Sequence, residues 1–127
     1  MKTTILLDSV SADGGSKPLS CAGYKNYTAT INTTGGADAR INFVGGYDKV
    51  PDFDSPQSVD NDWYGISGID VTTGEPITYP TGVKASGGDI HKAVMLNVEG
   101  LRWVGAIVSD YVGGEITVKL LSLEPSA

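Results

Sequence analysis

Five Gly-Gly pairs punctuate this chain: Gly14-Gly15, Gly35-Gly36, Gly45-Gly46, Gly87-Gly88 and Gly113-Gly114. They fall between short runs in which apolar and polar residues alternate. Glycine supplies the positive φ that tight turns need, and a period of two puts alternate side chains on opposite faces of a strand. The pairs follow no G-X-Y repeat, which excludes a collagen helix, and no strand–helix–strand rhythm appears that would call for a parallel sheet. The pattern therefore predicts an all-β fold: an antiparallel β-sandwich, jelly-roll-like, of about eight short strands.

The individual segments fill in that expectation. Tyr24 to Asn32 ("YKNYTATIN") is a Thr- and aromatic-rich strand, and Ala37 to Val44 is a second, with Ala39, Ile41 and Phe43 on one side. "TTGGAD" between them predicts a β-hairpin. Residues 45–62, "GGYDKVPDFDSPQSVDND", break the pattern with two prolines and five aspartates, and form a long acidic loop. Trp63 to Val71 resumes alternation, and Ile77 to Tyr79, between two prolines, predicts a brief edge segment. "DIHKAVMLNVEG" fits either a helix capped by Asp89 or a strand. The strand is preferred, because Glu99-Gly100 can then close a two-residue hairpin into Leu101. Leu101 to Ser109 and Glu115 to Leu121 complete the chain as a further antiparallel pair around "DYVGG".

A length of 127 residues fits one domain, 1–127, large enough to bury a core without staples. The formal net charge is −6, and the nine Lys and Arg are scattered, which argues against nucleic acid as a partner. One cysteine, Cys21, cannot close an intrachain disulfide. Asp8 interrupts the first apolar run well short of the roughly 7–15 residues of an export signal. No stretch approaches the ~20 apolar residues of a membrane helix. The expectation is a protein made and matured in a cytoplasm, with no membrane partner.

The segment "LRWVGAIVS" poses a physical problem. One face carries Leu101, Trp103, Gly105 and Ile107, the other Arg102, Val104, Ala106 and Val108. A sandwich core covers one face of each sheet. Leaving the second in water forgoes about 1.5–3 kcal/mol per large side chain. Either the chain's own Thr3 to Leu7 segment or 45–62 loop covers it, or another subunit does. The second alternative is favoured, since the first segment is short and the loop mostly polar. It makes Arg102, Trp103, Val104, Ile107 and Val108 a candidate subunit or shell interface in a homo-oligomer.

Candidate chemistry is sparse. A lone His91 excludes multi-histidine metal sites, and Cys21 with His91 lacks any nucleophile signature. Asp52, Asp54, Asp60 and Asp62 are candidate calcium ligands on a flexible loop, although the EF-hand glycine and terminal Glu are missing. Tyr47, Phe53, Trp63 and Tyr64 flank the same loop. They either pin it to the sandwich or, with Tyr47, Trp63 and Tyr64 at the rim, stack on sugar rings. The latter would make a carbohydrate-binding module recognising a cell-surface glycan. No cofactor and no catalytic residue is indicated.

"GYKNYTATINTTGGADARINFVGG" and, far downstream, "LNVEGLRWVGAIVSDYVGGEITVKLL" resemble small β-sandwich virion proteins of tailed bacteriophages. The likeness rests on Tyr27 to Val44, Gly100 to Val104 and Gly113 to Val118, about half the chain. It implies a non-enzymatic structural part: a capsid decoration protein, head fibre base or tail accessory, commonly trimeric. Such a part binds the major capsid or another virion protein, is assembled in the bacterial host cytoplasm and resides in the virion.

Overall fold

The computed structural model describes residues 2–122 and contains ten strands and, among those residues, no helix. They are β1 (Lys2–Val10), β2 (Gly14–Gly15), β3 (Leu19–Ser20), β4 (Asn26–Gly46), β5 (Tyr64–Gly65), β6 (Gly68–Asp70), β7 (Pro76–Ile77), β8 (Val83–Ser86), β9 (His91–Asn97) and β10 (Trp103–Ser122). All pairings are antiparallel, as the alternation predicts.

None of the three hairpins expected at "TTGGAD", Glu99-Gly100 and "DYVGG" forms. β4 runs for 21 residues and β10 for 20, and the two pair with each other from Leu121↔Thr28 to Trp103↔Gly46. "TTGGAD" and "DYVGG" are therefore corners within long strands. At the first, Gly35 and Gly36 hold φ of 75° and 66°, and the Asp89 carboxylate accepts their backbone, from Gly36 N–H at 3.0 Å and Ala37 N–H at 3.4 Å. At the second, Asp110 and Gly114 hold φ of 54° and 83°, and the Tyr111 N–H donates to Asp13 at 2.9 Å. Asp89, the alternative helix cap of the sequence reading, thus anchors a strand corner. The Glu99-Gly100 turn exists, closed by the Leu101 N–H on the Val98 carbonyl, but it is no hairpin. β9 pairs with β4 and β6, whereas β10 pairs with β4 on its other side.

The corners fold one sheet into two layers. The first takes the early part of β4 and the late part of β10, flanked by β1 on one side and by β9, β6 and β7 on the other. The second takes the late part of β4 and the early part of β10, edged by β2, β3, β5 and β8. A common core joins both: Ala29, Ile31, Val94, Leu96, Val118 and Leu120 from the first layer meet Ile41, Phe43, Val104, Ala106 and Val108 from the second. Inward residues face each other across the central pair, Val118↔Ile31 in one layer and Val108↔Ile41 in the other. These pairs are the unit of sheet stabilisation. The sandwich is thus one sheet bent over itself.

Candidate functional site

The second face of "LRWVGAIVS" finds its cover within the chain. Val104 and Val108 are 0% and 1% exposed in the common core, so they are protomer interior and cannot contact a subunit or shell. On the opposite face, Phe53, Trp63 and Val44 form a second buried cluster against Ile107. The Phe53 ring lies directly on Gly105: a Cβ there would meet ring atoms at 2.4 Å and 2.6 Å. Gly105 is the seat of that ring. Trp103 is half-buried, and its indole N–H donates to the Asp48 carbonyl at 3.2 Å. Of the five candidate interface residues only Arg102 is exposed. The acidic loop is mostly polar, but two large aromatic side chains suffice to cover a short strand segment.

The loop is held rigidly enough to act as that cover. Asn61 is its hub: the side-chain oxygen accepts the Asp52 N–H at 2.7 Å, and the amide donates to the carbonyls of Asp52, Ser55 and Pro56. The Trp63 indole donates to the Ser55 carbonyl at 3.1 Å, and Gln57 bonds the Trp63 carbonyl.

Further hydrogen bonds engage three of the four carboxylates expected to bind calcium. Asp54 accepts the Gly15 N–H at 2.6 Å, tying the loop to β2. Asp52 accepts the Asp54 N–H with one oxygen and the Ser55 hydroxyl with the other, both at 3.0 Å. Asp62 lies beside Tyr64, and its hydrogen bond pushes the phenol pKa up. Asp60 is exposed. Among the described residues no group of three His, Cys, Asp or Glu side chains is placed to hold a metal ion. The four aspartates do not converge on one point.

Nor do the three rim aromatics form a common platform. Trp63 is buried, edge-on to Phe53 and to Tyr79 at 6.3 Å and 6.2 Å between ring centroids. Tyr47 and Tyr64 stand exposed, but their rings meet at 62°, 5.7 Å apart. A sugar ring stacks on an open aromatic face, and the tryptophan offers none.

Cys21 is fully buried and donates weakly to the Leu101 carbonyl at 3.5 Å; burial raises its thiol pKa to about 11. At neutral pH it is a thiol, not the thiolate a nucleophile needs. His91, at the start of β9, is exposed and paired with Asn32 at 2.7 Å. Among the described residues, the ion pair with the most buried carboxylate lies elsewhere. Asp70, nearly buried, accepts Lys92 Nζ at 3.1 Å and the N–H groups of Thr72 and Thr73. The lysine bond, then the two backbone donors, hold its carboxyl below the usual range.

The feature that sequence reasoning passed over is the outer face of the first layer. Ile69 and Met95, opposite one another on β6 and β9, are both about half exposed, as are Val71 just after β6 and Ile5 on β1 at the other edge of the layer. Each is a single outward residue in an ordinary alternation. Only the pairing of strands far apart in sequence gathers them.

No protein-family model matches this chain, and no curated protein matches it. Among solved structures, the crystal structure of the SPBc2 prophage-derived protein YomS superposes with a TM-score of 0.68. The match covers 94% of this chain and 88% of that one, at 13% sequence identity. At that identity the likeness is one of fold.

Proposed function

We propose that the protein is a non-enzymatic structural component of a bacteriophage particle, an auxiliary protein carried in several copies on the assembled shell. The observation that carries this reading is the near-complete fold likeness to a prophage-derived protein. The resemblance of the β4 and β10 sequences to phage virion proteins points the same way, and those two strands form the spine of both layers. The side chains that most invited a catalytic or metal-binding reading have structural employment instead. Cys21 is a buried thiol, Asp54 ties the loop to β2, and Asp52 holds a turn within the loop. On this reading the shell protein is bound through surface complementarity, with assembly in the host cytoplasm and residence in the virion.

The test is composition of the particle. Phage particles made by a host carrying this gene are banded by density and analysed by quantitative mass spectrometry. The protein is expected in the band at many copies per particle, and added protein is expected to rebind particles that lack it. Absence from the band, with no rebinding, overturns the proposal.

A further inference from the structure

We draw no further inference here: the strongest candidate, the apolar cleft of about 400 Å³ between β1 and the segment from Gly15 to Leu19, lined by Leu6, Leu7, Val10, Pro18 and Leu19, runs along a strand whose register with β10 breaks twice, and nothing among the described residues shows what covers it.

Discussion

The two layers share their central strands but differ on their outer faces. The second is roofed by its own loop, with Phe53 and Trp63 lying over Gly105, Ile107 and Val44. Among the described residues nothing roofs the first, and its half-exposed Ile5, Ile69, Val71 and Met95 stand among threonines. A strand's apolarity therefore does not by itself identify a subunit contact. The greasier face belongs to "LRWVGAIVS", and it is satisfied within the protomer. The face left open is blander in sequence.

The comparison can be broken most forcefully at the roof. Phe53→Ala removes a side chain that is 3% exposed, and is expected to lower the unfolding free energy by about 3–5 kcal/mol. Urea denaturation measures the loss, and proteolysis within 47–62 should accelerate alongside it. A loss below ~1 kcal/mol would mean that the loop merely rests on the sheet. Gly105→Ala attacks the same contact from below. Its Cβ would collide with the Phe53 ring and lie 2.7 Å from Ser16 Oγ, so a cost of about 1–3 kcal/mol is expected. Combined with Phe53→Ala, the alanine should cost less, because the ring collision is gone and only the approach to Ser16 Oγ remains; a double-mutant cycle reads this coupling.

A smaller effect concerns the far edge of the first layer, where Asp70 holds Lys92. The folded carboxyl titrates below its unfolded value near 3.9, so the folded state binds fewer protons than the unfolded one in that window. The resulting stability is present in full above the unfolded pKa and is lost as pH falls through the folded one. Asp70→Asn should flatten this acid limb of the urea midpoint against pH, and an unchanged limb would assign it to other carboxylates. Met95→Ser on the open face should change stability the least, within about 0.5 kcal/mol. A large loss would show that the face is less free than its exposure indicates. Calcium, for its part, is expected to leave Tm unchanged, since a ligand bound only to the folded state would raise it.

The sequence carries the strand alternation and the acidic loop almost directly, whereas His91 to Asn97 fits a helix as well as a strand until its partners on β4 and β6 are known. Nor does the sequence carry the continuity of β4 and β10. A Gly-Gly pair between two alternating runs is the local signature of a reversal, and a corner in an unbroken strand uses the same residues. What separates the two is the partner strand, 85–93 residues away along the pairing from Thr28↔Leu121 to Asn32↔Thr117. The roof was half legible. Phe53 and Trp63 stand out as large aromatics in a polar loop, but the loop's composition hid how well two rings can serve. Gly105, a missing side chain in the middle of an apolar face, was the available clue that something sits there. The aspartates misled because carboxylates close in sequence invite a cation. Asp52, Asp54 and Asp62 are instead used for separate hydrogen bonds, such as Asp54 to Gly15 and Asp52 to Ser55.

The passage of β4 and β10 through both corners has a mechanical consequence. Ordinary sandwiches can be sheared apart between their sheets, because connections there are loops and the layers adhere through side chains. Here two covalent backbones cross from one leaf to the other, side by side and bonded to each other on both sides of the bend. A pull on either leaf is transmitted through peptide bonds, so the two halves must yield together or not at all.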